Sequence, residues 1–128
     1  MPLKWSDWLP LTANTLASAS LPRKGVYVVR SRNRAVGRVI GSSSILYIGI
    51  PRWRGAGSIG KRLKQAITPK APHPLQPRLQ EFLSLGEPVD FCCARTSAPE
   101  LMESALLAFF EKAHLELPPF NRQGGNRK

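Results

Sequence analysis

The chain has 128 residues, 42% of them hydrophobic and 21% charged; this is the length and composition of one globular domain and excludes a disordered chain. Its 19 Lys and Arg stand against 8 Asp and Glu, a formal net charge of +11, and such an excess points to a polyanionic partner, nucleic acid above all. No apolar run approaches the ~20 residues of a membrane span, and the first ten residues lack the apolar centre of a secretory signal, so a cytoplasmic protein with no membrane partner is expected.

Residues 1–20 carry Trp5, Trp8 and several Leu at weak helical spacing, interrupted by Pro10, and are expected to form an arm packed on the core. GVYVVRS, from Gly25, has the β-branched and aromatic composition of a strand. A second strand, ILYIG (45–49), follows a turn cluster over 41–44, and the two neighbours are expected to pair antiparallel. Ser58 is placed to cap a helix over IGKRLKQAI, with Ile59, Leu63, Ala66 and Ile67 on one side and Lys61 and Lys64 on the other. A Pro-rich stretch, 68–77, leads to a second helix over 76–85 that Gly86 stops. PVDFCCAR is then a short buried strand. Ser97-Ala-Pro-Glu100 reads as a capping box with Pro in the first turn, opening a last long helix, ELMESALLAFFEKAHLE, that breaks at Pro118-Pro119. The order predicts an α+β fold: a small three-stranded antiparallel sheet flanked by helices, followed by a flexible basic tail at 122–128.

Charge and spacing single out a few residues. There is no acidic residue between Asp7 and Glu81, whereas most of the Lys and Arg lie in that interval. Trp53 between Arg52 and Arg54 either stacks a base or covers a sheet edge, and with Lys61 and Lys64 these residues form the candidate nucleic-acid surface. Glu103 begins a helical stripe that continues through Leu106, Leu107, Phe110 and His114. A carboxylate on that stripe costs several kcal/mol to bury unless a cation, a metal or hydrogen bonds compensate it. Mg²⁺ prefers such oxygen ligands; the alternative is a glutamate near a helix start that leans into water. Arg62 sits at the edge of the apolar side of its helix, where it either reaches a phosphate or lays its stem over the core. GAGSIGKR (55–62) nearly spells a phosphate-binding loop, but Arg62 stands where that loop needs a hydroxyl, and no nucleotide cofactor is expected. Cys92 and Cys93 are adjacent, with no zinc spacing, and read as reduced core residues, while neither His73 nor His114 falls in a catalytic or metal-binding spacing.

Taken together, Gly25-Val26-Tyr27, Tyr47-Ile48-Gly49, Arg62 in K-R-L, Glu103 in E-S-A-L-L and Asn121 in P-P-F-N resemble the GIY-YIG nucleases over residues 21–121. The resemblance implies a nuclease domain that hydrolyses phosphodiester bonds in DNA, duplex or branched. It implies Glu103 as the ligand of one divalent metal, Mg²⁺ or Mn²⁺, and Tyr27 or Tyr47 as the group that deprotonates or orients the attacking water. Arg62 would neutralise charge on the phosphate and Asn121 would brace the site through hydrogen bonds. Gly25 and Gly49 are the motif glycines, Gly49 giving a phosphate or backbone room to approach. Two departures from the family pattern stand out: the interval between Tyr27 and Tyr47 is longer than in many members, and Ala66 occupies a position where many carry His or Tyr. A catalytically inactive nucleic-acid-binding domain on the same fold is the rival reading, and a basic ribonucleoprotein component is a third.

Overall fold

The computed structural model of the chain describes residues 4–37, 41–51, 58–68 and 76–121. In chain order the elements are β1 (Leu9–Pro10), α1 (Ala13–Ser18), β2 (Gly25–Ser31), β3 (Val36–Gly37), β4 (Ser42–Ser43), β5 (Ile45–Gly49), α2 (Ile59–Ile67), α3 (Gln76–Ser84), β6 (Val89–Arg95) and α4 (Pro99–His114). The protein is a mixed α+β fold around a four-stranded antiparallel sheet of order β1-β6-β2-β5. β3 and β4 form a separate two-stranded ribbon within the long β2–β5 connection.

The sheet therefore has one strand more than the three expected. Leu9 and Pro10, assigned to a packing arm, pair with Phe91 and Asp90, and Trp5 makes an isolated bridge to Ala94. β6 would otherwise present an open row of backbone groups, and a proline is tolerated on an outer strand that need not donate on its far side. So short and proline-bearing a strand has no periodicity of its own to read.

Alternation along β2 divides the core in two. Tyr27 and Val29 face a cluster with Phe91 and Cys93 of β6, covered by Ile59, Leu63 and Ala66 of α2, Leu79 of α3 and Leu16 of α1. Val26 and Val28 face the other way, with Cys92, Ala94 and Ile48, and are covered by Leu107, Leu106 and Met102 of α4. The result is three layers, α1–α3, sheet and α4. At the free edge of β5, Phe120 N donates to Leu46 O, which closes part of that edge.

Local signals for the helices hold in most places. Ser58 caps α2 through its side chain, which accepts from Lys61 N, and Gly86, at φ 79°, follows α3 in the left-handed conformation that glycine takes readily. The capping box at Ser97 does not form. The N-cap of α4 is Ala98, with no side-chain cap, and the hydroxyl of Thr96 instead accepts from Ala98 N. Pro99 at the first helical position starts the helix, so Glu100 has no cap to reciprocate. At the other end α4 stops at His114, before the prolines, with Leu115 left-handed at φ 61°. The tail 122–128 lies outside the described residues.

Candidate functional site

The two motif tyrosines meet at one end of the β2–β5 pair. Tyr27 lies opposite Gly49 and Tyr47 opposite Val29, so both phenols project from one face as diagonal neighbours. Their ring centroids are 6.1 Å apart with the planes tilted by 34°. Gly49 is what lets the rings close in. A Cβ at that position would lie 2.5 Å from Cε2 of Tyr47 and 2.9 Å from both Cζ and Oη of Tyr27. The space that a side chain would take at Gly49 is thus filled by the two rings. Gly25 is needed for a different reason: any Cβ there would collide with the carbonyl oxygen of Ala94 on β6.

Tyr27 is wholly buried, and its pKa is pushed well above that of an ordinary phenol, first by burial and then by Tyr47, with Glu103 also raising it and Arg62 opposing. A hydrogen bond with Tyr47 raises it further. Tyr27 accordingly remains a neutral phenol at any physiological pH. Of the two hydroxyl-bearing rings, Tyr47 is the one with some access to solvent, at 9% exposure.

The same interactions bring together residues from four elements. Arg62, half-buried on α2, acts electrostatically on Tyr27 and donates from Nη1 to Gln65 Oε1 at 2.8 Å. Gln65 is three positions further along the same helix, a spacing at which side chains are neighbours. It is a partner that the sequence reading did not name. Glu103 is half-buried one turn into α4, a helix that begins soon after β6 ends beside Gly25, and its charge also acts on Tyr27. It leads a stripe in which Leu107 and Phe110 are buried, with Phe110 and His114 in ring contact at 4.5 Å. Asn121 touches the site through backbone alone: its Oδ1 accepts from Ile48 N at 3.0 Å and its Nδ2 donates to Ile48 O at 2.9 Å. The amide thereby extends the sheet past β5 and holds the segment between Tyr47 and Gly49 in place.

Lys61 and Lys64 flank Arg62 on α2, both exposed, whereas Arg52, Trp53 and Arg54 lie outside the described residues, as does His73. Part of the basic excess is neutralised internally. Asp90, buried on β6, pairs with Arg30 at 3.3 Å and Arg32 at 2.8 Å, and Arg34 pairs with Glu87 at 3.0 Å. Arg30 also lies over the Trp8 ring, 4.1 Å from its centroid. These ion pairs offset two of the chain's positive charges, one at Asp90 and one at Glu87.

Among the described residues no three His, Cys, Asp or Glu side chains cluster as a metal cage. The donor set beside Tyr27 is a single carboxylate, which suits a hard cation that draws its other ligands from water and phosphate oxygens, the habit of Mg²⁺. The described helices include none long and apolar enough to cross a membrane.

Fold and site together define a small α+β domain with a phenol pair at one end of an antiparallel sheet and a guanidinium and a carboxylate near enough to act on the charge of the buried phenol. Comparisons with protein-family profiles, with curated proteins and with solved structures found no match.

Proposed function

We propose that the protein is a metal-dependent DNA endonuclease of the GIY-YIG type, hydrolysing phosphodiester bonds at the site formed by Tyr27, Tyr47, Arg62 and Glu103. The observation that carries the reading is the convergence itself. Groups far apart in the chain, each of the type the resemblance assigns, act on one buried phenol. A basic chain of net charge +11 supplies the long-range attraction for a polyanion.

Each side chain has a distinct task in this reading. Tyr27, a neutral phenol fixed in the core, holds the Tyr47 ring in place, and Tyr47 orients the attacking water and draws off its proton. Arg62, steadied by Gln65, offsets charge that builds on the phosphate. Glu103 holds the divalent cation, Mg²⁺ or Mn²⁺, which when bound supplies Lewis-acid polarisation of the phosphate and stabilisation of the leaving oxygen. Asn121 keeps Ile48, and with it Tyr47, in register. Lys61 and Lys64 contact backbone phosphates, which position the strand without reading its sequence. The roles of Arg52, Trp53 and Arg54 in DNA contact rest on their sequence alone.

One observation favours the rival, a DNA-binding domain without catalysis. Ala66 is fully buried in the core between α2 and the sheet, so the position where many members carry His or Tyr serves only packing here. Cleavage assays on plasmid, branched and single-stranded DNA with Mg²⁺ and Mn²⁺ separate the two. The nuclease reading expects metal-dependent nicking that Glu103→Gln abolishes while salt-sensitive binding persists. Binding without nicking of any of these substrates, with either metal, leaves the inactive domain.

A further inference from the structure

A cleft of ≈ 860 Å³ opens at the β1–β6 edge of the sheet, where the N-terminal segment, residues 20–22, the end of β6 and the start of α4 converge. Its volume is that of a site for a small organic group. We propose that this cleft receives an unpaired nucleotide of the bound DNA, a few nucleotides from the bond being cut, its base stacking on Trp5 and its phosphate meeting Lys4 and Arg95. The proposal rests on the nuclease reading for its choice of DNA, and it adds a substrate class: DNA with a frayed, flapped or single-stranded segment a few nucleotides from the cleavage point.

Three observations carry it. First, the cleft's position is set by the sheet register. Cys93 and Arg95, which line it, are the β6 partners of Tyr27 and Gly25, and Met102, also in the lining, precedes Glu103. Adjacent strands lie about 4.8 Å apart, and β2 and β5 come one and two strands after β6, so a group in the cleft is separated from Tyr47 by at least about 10 Å, a gap that a strand of a few nucleotides spans. Second, the chemistry of the wall suits a nucleotide. It combines an indole left 38% exposed with the cations Lys4 and Arg95 and the hydroxyls of Ser20 and Ser97, and it contains no acidic side chain. An aromatic face with neighbouring positive charge is how proteins hold unpaired bases without regard to sequence. Third, Trp5 is held in advance. Its backbone bridges Ala94, and the next residue is locked to Cys93 twice, Ser6 N donating to Cys93 O at 2.8 Å and Cys93 N donating to Ser6 Oγ at 3.0 Å. A platform already ordered loses little entropy when a base settles on it.

The test uses the whole protein and fluorescence anisotropy with labelled DNA in EDTA, so that no cleavage intervenes. The probes are a duplex with a short oligothymidine flap, the same duplex with abasic flap residues, the fully paired duplex, and the flap in RNA. The thymidine flap should bind about tenfold more tightly than the abasic flap, within the range for one base on an aromatic ring. Trp5→Leu should erase that difference and Trp5→Phe should keep most of it. Arg95→Gln, at an exposed position, should weaken both flaps alike and lower the salt dependence of binding. Thermal melts identify any variant that has lost its fold, and the Arg95→Gln result then decides. Equal binding of thymidine and abasic flaps by the wild type overturns the proposal, as does a preference that survives Trp5→Leu or one stronger for RNA. The nuclease reading fails separately: a protein that never cuts yet shows the Trp5-dependent preference keeps the cleft, and one that cuts without the preference loses it.

Discussion

Replacing Gly49 by alanine tests the packing that brings the two tyrosines together. The added methyl would meet a ring carbon of Tyr47 at 2.5 Å and two atoms of Tyr27 at 2.9 Å, all well inside van der Waals contact. Relief has to come from somewhere, and the surroundings offer little. Tyr27 is fully buried against β6 and α2, and Tyr47, packed against Tyr27 and only 9% exposed, has little room to move outward. Backbone strain contributes nothing, because Gly49 is not among the positive-φ glycines. The cost is therefore that of overpacking a filled core, about 1–3 kcal/mol. In urea unfolding, with a slope of about 1–3 kcal/mol/M for a domain of this kind, the midpoint should fall by roughly 1 M at unchanged slope. Pairing Gly49→Ala with Tyr47→Leu, which removes the nearest ring, should recover part of the loss in a double-mutant cycle. A Gly49→Ala protein within about 0.5 kcal/mol of wild type, the scatter of ordinary surface substitutions, would show that the rings do not rest on this glycine.

Other consequences follow from the same contacts. Asn121→Ala removes both hydrogen bonds to Ile48 and should cost about 1–3 kcal/mol, seen as a drop in Tm of several degrees; an unchanged Tm would mean the edge of β5 is satisfied by water. Burial disfavours the Asp90 carboxylate, but hydrogen bonds and charge from Arg32 and Arg30 prevail and hold its pKa below the usual carboxylate range. Its folded pKa is depressed, so its contribution to stability is present above about pH 4 and is lost as pH falls through the folded value; Asp90→Asn should flatten this part of a stability–pH curve measured by denaturant titration. Burial, reinforced by Cys93, pushes the Cys92 thiol up to about 12, and burial raises Cys93 too, so neither should react with iodoacetamide at pH 8 until the protein is unfolded. Mass spectrometry of native and denatured samples measures this directly, and rapid native labelling would contradict it.

Much of the architecture was legible because it rests on short-range pattern. The runs GVYVVRS, ILYIG and VDFCCAR became β2, β5 and β6, and Ser58 and Gly86 mark helix boundaries through local bonding and backbone freedom. The side-chain types at Tyr27, Tyr47, Arg62, Glu103 and Asn121 were likewise readable, since their order is a property of the chain. Where local rules competed, sequence alone misjudged: Ser97 had the right partner spacing for a cap, but Pro99 began the helix from Ala98.

What tertiary structure alone decided is who stands next to whom across long separations. No local pattern announces that Leu9 and Pro10 complete the sheet, because an edge strand is chosen by the open partner it satisfies. Nor does composition reveal that Asp90, buried on β6, draws Arg30 and Arg32 to itself and offsets one of their two charges. The difference between the tyrosines belongs here as well: both are Tyr in matching motifs, and only packing seals one completely and leaves the other with slight access to solvent. Secondary structure follows from interactions within a few residues, whereas burial and electrostatic environment are set by whatever the folded chain happens to bring against each group.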